Sequence, residues 1–347
     1  MRKLAPTVFH LAIVFVFILG CQPKSKNEEQ VAQNKSFNTL GSIEIMDKEL
    51  GKILSADAKL EILAQGFDWI EGPVWIKEGN FLLFSEIKPN TIYKWSEEDS
   101  ISVYLNPSGY TGEVPRGGEQ GSNGLILNAN RQLVLCQHGN RQIAIMDAPL
   151  TDPKPNYLTI ANMFDGKRFN SPNDLIIHSS GDIYFTDPPY GLEYQMADST
   201  KEIDFQGVYK WSASDSTVSL IANDVTRPNG IAFSPDEKSL YVASSDPDLA
   251  VYHRFTLGDD GNISGRGIMY DATPSAAKHP GLPDGMVVHP NGMIFATGPG
   301  GVWVFDDSGK VLGRIYTENA TANCTFGDDF KTLYITADSY LLRVKMI

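Results

Sequence analysis

Residues 229–255 decide the fold, with N-G-I-A-F at 229–233, S-L-Y-V-A at 239–243 and A-V-Y-H-R-F at 250–255. These apolar runs are short and separated by turn residues such as Pro235-Asp236, which is typical of antiparallel strands. The same arrangement recurs along the 347-residue chain, and each copy begins with a polar side chain. The six polar positions, separated by 52, 50, 56, 55 and 39 residues, are Glu71, Asn123, Asn173, Asn229, Asp284 and Asn323. Repeats of this length built from short strands predict the radially arranged blades of a β-propeller.

Second and third strands follow the polar position in every repeat. We predict second strands at 81–85, 132–136, 182–186, 239–243, 293–297 and 332–336, and third strands at 91–95, 142–146, 207–211, 250–255, 301–305 and 341–346. The last repeat ends after its third strand, whereas K-L-E-I-L at 59–63 is left over before the first repeat. Pairing this run with the last repeat would remove an exposed sheet edge. We therefore predict an all-β domain at 56–347, a six-bladed β-propeller closed by an N-terminal strand that completes the last blade.

The N-terminal segment has the features of an export signal. Arg2 and Lys3 precede an apolar run at 11–20, which is shorter than the ~20 residues that cross a bilayer. The sequence I-L-G-C at 18–21 resembles the lipobox of bacterial lipoproteins, in which Cys21 is lipidated. We therefore expect a lipoprotein signal peptide at 1–21, a flexible polar tether at 22–55, and an exported protein lipid-anchored to the bacterial cell envelope, at the outer membrane. The alternative is an uncleaved anchor helix that ends at a chance Cys.

Composition narrows the classes of partner. A net charge of −13 and a pI near 4.9 argue against nucleic acid, because its phosphates need a basic protein face. Cys136 and Cys324 lie inside strand patterns of non-adjacent blades, so we expect two buried apolar thiols rather than a disulfide. The Cys and His spacing excludes a zinc-thiolate site. We expect a monomer whose partner is a small molecule, with membrane contact through the lipid anchor only.

The recurring polar position needs a cause, because Asn, Asp and Glu are poor strand residues. Turn chemistry is one explanation for Asn123 and Asn323, since Asn followed by a small residue favours turns. It does not explain Glu71, which precedes Gly-Pro. If the six positions share one phase, Glu71, Asn173, Asn229 and Asp284 supply four oxygen donors around one axis. Such donors suit one hard divalent cation, Ca²⁺ in the first place, with Mg²⁺ or Zn²⁺ as alternatives.

Four segments carry a family resemblance. They are E-G-P-V-W at 71–75, S-P-N-D-L at 171–175, R-P-N-G-I at 227–231 and P-D-G-M at 283–286. In order and spacing they resemble the signature segments of the SMP-30/gluconolactonase/regucalcin-like family, and C-Q-H-G-N-R at 136–141 with Y-F-T-D-P-P-Y-G at 184–191 resembles its bacterial gluconolactonase branch. The resemblance implies a six-bladed propeller with a divalent ion in the central tunnel. It also implies Glu71, Asn173, Asn229 and Asp284 as ligands, and Asp284 as general base.

Other residues are candidates for catalysis or substrate binding. His138 competes with Asp284 as general base, because its ordinary pKa lies near neutral pH, although an ordinary loop histidine is an equal alternative. We expect Asn123 and Tyr190 to contact substrate, and Asp174 to orient the ligand loop. Animal relatives that open sugar lactones carry an Arg two residues before the position of Asn173, where this chain has Ser171. Arg141, or alternatively Arg168, is the candidate to replace that Arg at the substrate.

The leading hypothesis is a divalent-metal-dependent hydrolase that opens a sugar lactone. In this mechanism the metal polarises the carbonyl and water attacks it. One alternative keeps the site and changes the substrate to another ester, a phosphotriester or an oxidised sugar. The other alternative is a non-enzymatic propeller that binds calcium or carbohydrate, because one fold serves many functions.

Overall fold

The protein is described by a computed structural model, which covers residue 1, residues 37–327 and residues 329–347. Six antiparallel sheets of four or more strands follow one another along the chain, and we number these blades 1 to 6. The first strands of successive blades contact one another in cyclic order, and the first strand of blade 6 contacts that of blade 1. The prediction of a six-bladed all-β propeller is confirmed.

Within each blade the strands run outward from the axis in chain order. The innermost strands are Ile70–Ile76, Ser122–Leu127, Leu175–Ile177, Pro228–Phe233, Met286–Val288 and Asn323–Gly327. The second strands are Phe81–Glu86, Leu133–Gln137, Ile183–Asp187, Ser239–Asp246, Ile294–Gly298 and Thr332–Ala337. The third strands are Thr91–Ser96, Gln142–Met146, Gly207–Trp211, Leu249–Leu257, Gly301–Phe305 and Tyr340–Lys345. The outer strands of blades 1 to 5 are Ser100–Leu105, Tyr157–Ala161, Val218–Ala222, Ile263–Asp271 and Val311–Tyr316.

The outer strand of blade 6 comes from the N-terminal side of the domain. Leu60–Gln65 pairs antiparallel with Tyr340–Lys345, so that Leu60 lies opposite Val344 and Gln65 opposite Tyr340. The Arg343 guanidinium, which is nearly buried, pairs with Glu61 of this strand and with Glu97 of blade 1. The closing strand therefore joins blade 6 covalently to blade 1, as the unpaired run at 59–63 predicts.

The folded domain begins earlier than predicted, so the boundary of the tether at residue 55 is wrong. Thr39–Leu40 pairs with the closing strand, and Ser42–Ile45 adds a fifth strand to blade 5. Leu50 and Leu54 are fully buried against blades 5 and 6. The segment is mostly polar, so its sequence did not indicate that Leu50 and Leu54 pack against the propeller. The predicted signal peptide, Cys21 and the tether up to residue 36 lie outside the described residues.

Hydrophobic side chains fill the spaces between neighbouring blades. Six buried clusters, one for each pair of adjacent blades, are made mainly by second- and third-strand residues such as Leu83, Phe185 and Phe295. Cys136 and Cys324 belong to two of these clusters and are free thiols, as predicted.

Outside the blades, the described residues contain little secondary structure. A two-stranded hairpin pairs Met163–Phe164 with Lys167–Arg168. The helices of residues 37–327 and 329–347 are single turns, at Leu50–Lys52, Lys77–Gly79, Gln195–Ala197 and Thr273–Ala276. In the part of the chain that the structure describes, no helix is long and apolar enough to cross a membrane.

Candidate active site at the propeller axis

A cavity of about 310 Å³ opens at one end of the axis. All four predicted metal ligands line it, together with the predicted substrate residues Asn123 and Tyr190. Its remaining lining residues are Trp69, Ile87, Glu119, Ser245, Gly281 and Leu282. Among the described residues, no Lys, Arg or His side chain lines this space. The structure therefore brings together, in one acidic cavity, residues that the sequence separates by more than 200 positions.

The polar residues stand at the inner edge of the ring because of how neighbouring blades touch. Each lies at or just before the start of an innermost strand. Gly72 has a φ of 50°, and a Cβ at this position would lie 2.0 Å from the carbonyl oxygen of Asn123 in the next blade. A Cβ at Gly230 would lie 2.1 Å from the Asp284 carbonyl oxygen. The recurring pair of a polar residue and glycine is thus a contact between blades and not a hairpin turn.

Local hydrogen bonds leave amide oxygens available at the axis. Asn229 donates from Nδ2 to Ser245 Oγ over 2.8 Å, which leaves Oδ1 as the acceptor. Ser245 Oγ in turn donates to the Pro283 carbonyl over 2.6 Å. Asn123 Oδ1 is buried and accepts no hydrogen bond within the described part of the chain. A buried acceptor without a donor is costly, so this cavity is built to receive a cation or the hydroxyl groups of a ligand.

Two acidic side chains face the same cavity from blades 1 and 5. Glu71 is 3% exposed, and burial raises its pKa to about 8, opposed by hydrogen bonds from the indole of Trp69 and the amide of Gly72. Burial, followed by repulsion from Glu71 and Asp174, raises the pKa of Asp284 well above its ordinary range. Ionising both carboxyl groups needs a compensating positive charge.

The donor set fits a hard divalent cation. In the described residues, no group of three or more His, Cys, Asp or Glu side chains is arranged to hold a metal. The axial ring instead combines two carboxylates, Glu71 and Asp284, with the amides of Asn173 and Asn229. Carboxylate and amide oxygens together are typical ligands of Ca²⁺ and, with more water, of Mg²⁺.

Asp174 and Asn323 lie beside this cavity without lining it. Asp174 accepts the Leu175 amide at Oδ1 over 2.9 Å and the Ile231 amide at Oδ2 over 3.4 Å, which ties blade 3 to blade 4. Burial raises its pKa to about 7. Asn323 Oδ1 accepts the Cys324 amide over 2.8 Å, and its side chain also bonds Asp174. Both side chains therefore hydrogen-bond the backbone of inner strands.

The structure places the predicted arginines elsewhere. Arg141 and Arg168 line a separate cavity of about 420 Å³. Arg141 is nearly buried and donates to two backbone carbonyls, from Nε to Phe169 over 2.6 Å and from Nη1 to Thr200 over 3.0 Å. Arg168 pairs with Glu202. The structure therefore does not bring Arg141, predicted to bind substrate, into the axial cavity; its guanidinium instead joins the backbone at Phe169 and Thr200.

His138 is also absent from the cavity wall. Its side chain is fully buried, and Nδ1 lies 3.1 Å from Glu119 Oε2, which does line the cavity. The angles at this contact do not make it a hydrogen bond. Sequence reasoning missed Glu119, Trp69 and Ser245. The available signals were the position of Trp69 two residues before Glu71 and the long connection at 105–121 that carries Glu119.

Most of the chain matches a known protein family. A family model described as "SMP-30/Gluconolactonase/LRE-like region" matches residues 69–339. The chain belongs to this family. A gluconolactonase of Zymomonas mobilis is 37% identical over 337 residues, which cover 94% of this chain and 91% of that protein.

Solved structures of the SMP-30/gluconolactonase/LRE-like family share the fold. A gluconolactonase from Xanthomonas campestris is 29% identical, with a TM-score of 0.75 over 90% of this chain and 99% of that one. Regucalcin from Agrobacterium tumefaciens, described as a calcium-binding protein, is 16% identical with a TM-score of 0.62 over 89% of this chain and 95% of its own. This second likeness concerns the fold alone.

Proposed function

We propose that this family member is a divalent-cation-dependent hydrolase that opens a sugar lactone. The observation that carries the proposal is the cavity at the axis, where two buried acidic side chains meet the amide side chains of Asn173 and Asn229 and the unpaired amide oxygen of Asn123. Relatives named gluconolactonase, one of them 37% identical over nearly the whole chain, support a lactone as the substrate.

Glu71, Asn173, Asn229 and Asp284 are the residues that would hold the cation, and we propose Ca²⁺ because all four donors are oxygens. When bound, such a cation polarises a carbonyl oxygen and stabilises the negative charge that develops on it. The protein contributes the orientation of these donors. Trp69 and Gly72 fix the Glu71 carboxylate, and Ser245 fixes the amide of Asn229.

The rest of the cavity suits a polyhydroxylated substrate. Asn123 offers a buried amide oxygen to a sugar hydroxyl. Burial raises the pKa of Tyr190, so its phenol stays protonated and serves as a hydrogen-bond donor. Ile87, Leu282 and the indole of Trp69 supply apolar surface for the sugar carbons. In the reaction, one water adds to the lactone carbonyl carbon, the ring C–O bond breaks, and a hydroxy acid is released.

Cation removal tests the proposal directly. The full chain is assayed for hydrolysis of glucono-1,5-lactone as purified, after EDTA treatment and dialysis, and after Ca²⁺ is restored. We expect activity to disappear with the cation and to return with it, in parallel with calcium binding measured by calorimetry. Unchanged turnover in protein shown to be free of metal contradicts the proposal. A panel of lactones, aryl esters and phosphotriesters separates the lactonase from the alternative hydrolases.

Export and anchoring are a separate proposal that rests on the sequence of residues 1–21. We propose that Cys21 is lipidated, that the anchor holds the domain at the outer membrane of the cell envelope, and that the domain is monomeric. Labelled fatty acid should enter the wild-type chain and not the Cys21→Ser variant, and light scattering of the soluble domain should give the mass of one chain. A labelled Cys21→Ser variant contradicts lipidation at this residue.

A further inference from the structure

We propose that Glu119 is the general base of lactone hydrolysis and that His138 positions it; this inference rests on the proposed function. Glu119 belongs to the connection between blades 1 and 2, outside the ring of proposed cation ligands. Its side chain is 32% exposed and lines the axial cavity. It is therefore a carboxylate that faces the substrate space without being needed to hold the cation.

The other acid–base groups at the cavity are less suited to accept a proton. Glu71 and Asp284 face the cation site, and a nearby positive charge lowers the basicity of a carboxylate. Tyr190 is already protonated, and burial raises its pKa further. His138 is fully buried behind the wall. Of the titratable side chains that line the cavity in the described residues, Glu119 is the one left for this role.

His138 stands directly behind Glu119. The distance from His138 Nδ1 to Glu119 Oε2 is 3.1 Å, yet neither ring nitrogen makes a hydrogen bond in the described part of the chain. A fully buried imidazole without partners carries a desolvation cost that calls for an explanation. A hydrogen bond from His138 Nδ1–H to Glu119 Oε2 would satisfy this ring nitrogen, orient the carboxylate, and leave its Oε1 for a water molecule.

The backbone around Glu119 is held in place at both neighbouring strands. The Gly121 amide donates to the Ile87 carbonyl over 2.8 Å, and the His138 amide donates to the Gly121 carbonyl over 3.1 Å. The Arg116 guanidinium donates to the carbonyls of Gly139 and Gly191, which joins this connection to the loops between the second and third strands of blades 2 and 3. Such fixing of a catalytic side chain before substrate binds lowers the entropic part of the barrier.

The proposed step balances without any further reactant. Glu119 removes one proton from water as the water oxygen bonds to the carbonyl carbon. The ring C–O bond of the resulting tetrahedral adduct then breaks, and its electron pair stays on the departing ring oxygen. Protonated Glu119 returns its proton to that oxygen, so the carboxylate is restored and the open-chain hydroxy acid leaves.

The experiment compares Glu119→Gln with Glu113→Gln, an exposed residue of the same connection. We expect Glu119→Gln to lower kcat about 100- to 10,000-fold, the usual contribution of a general base, with calcium affinity unchanged. Glu113→Gln should behave as wild type. In Glu119→Ala, which leaves space for a small acid, added formate should restore part of kcat.

Variants of His138 test the positioning role. We expect His138→Ala to lower kcat with little change in KM or calcium affinity, and His138→Asn, which keeps an amide near the place of Nδ1, to retain more activity. Full kcat in Glu119→Gln while the wild type is active overturns the inference alone. So does a calcium affinity that falls together with kcat, because Glu119 would then be a ligand. A wild-type protein that hydrolyses no lactone in Ca²⁺ overturns the proposed function as well.

Discussion

Replacing Glu71 by Gln separates two effects of this buried carboxyl group: the stability it costs the metal-free protein, and its proposed contribution to cation binding. Glu71 is 3% exposed, and burial raises its pKa from 4.5 to about 8. At pH 7 the unfolded chain has released this proton, whereas the metal-free folded protein retains it. Each pH unit between 4.5 and 7 therefore removes about 1.4 kcal/mol from the free energy of unfolding. The total is about 3 kcal/mol in the absence of a cation.

Gln has the same shape and does not ionise, so the metal-free Glu71→Gln variant avoids this cost. It gives up one of the two hydrogen bonds that the carboxylate accepts from Trp69 and Gly72, which is worth about 1 kcal/mol. We therefore expect the metal-free variant to be about 2 kcal/mol more stable than wild type at pH 7, and no more stable than wild type near pH 4.5. With Ca²⁺ the order should reverse, because the variant lacks one ligand charge.

Equilibrium urea unfolding of both proteins at pH 4.5 and 7, in EDTA and in Ca²⁺, measures these differences. Glu98→Gln, at an exposed position of blade 1, is the control for the change of charge alone. Two results refute the reasoning: a metal-free Glu71→Gln that is less stable than wild type at pH 7, or equal stabilisation of both proteins by Ca²⁺.

Three further predictions concern stability. Burial raises the pKa of both Glu71 and Asp284, so the melting temperature of the metal-free protein should fall as pH rises from about 5 to 8. Stabilisation by Ca²⁺ should grow over the same pH range. A calcium effect that does not depend on pH contradicts this prediction. Leu50→Ala should lower the free energy of unfolding by about 2–5 kcal/mol, because Leu50 is fully buried against blades 5 and 6, and an unchanged denaturation midpoint would show that this segment is not docked. Asn323→Ala should lower the melting temperature, because Asn323 hydrogen-bonds Cys324 and Asp174. Its calcium affinity, measured by calorimetry, should stay close to that of the wild type. A loss of affinity beyond tenfold would place Asn323 among the ligands.

The architecture was predictable because one local signal is repeated six times. Alternating apolar runs and a polar residue in constant phase specify both the strands and the face that each strand turns to the axis. The position of Glu71, Asn173, Asn229 and Asp284 at the axis was predictable for the same reason, since each lies in or just before an innermost strand. The closing strand followed from counting, because 59–63 was the one strand pattern without a partner.

Residues on irregular connections could not be placed in this way. Arg141 stands three positions after His138, yet its guanidinium turns away from the axis to cap the carbonyls of Phe169 and Thr200. Glu119 reaches the cavity from a long connection without periodicity, so no pattern announces it. The segment at 39–54 was missed because a few apolar residues in a polar context dock on strands that only the complete ring provides.

Closure of the ring by the strand Leu60–Gln65 also constrains when the protein can fold. The paired residues Glu61 and Arg343 are separated by 282 positions, and closing a loop of that length costs about 5 kcal/mol of chain entropy. Contacts between residues so far apart in sequence favour slow folding. A chain emerging from the ribosome exposes an unpaired sheet edge at residues 60–65 until Tyr340–Lys345 has been synthesised. Loss of the last eight residues, by a late stop codon or a protease, would therefore leave the whole ring open.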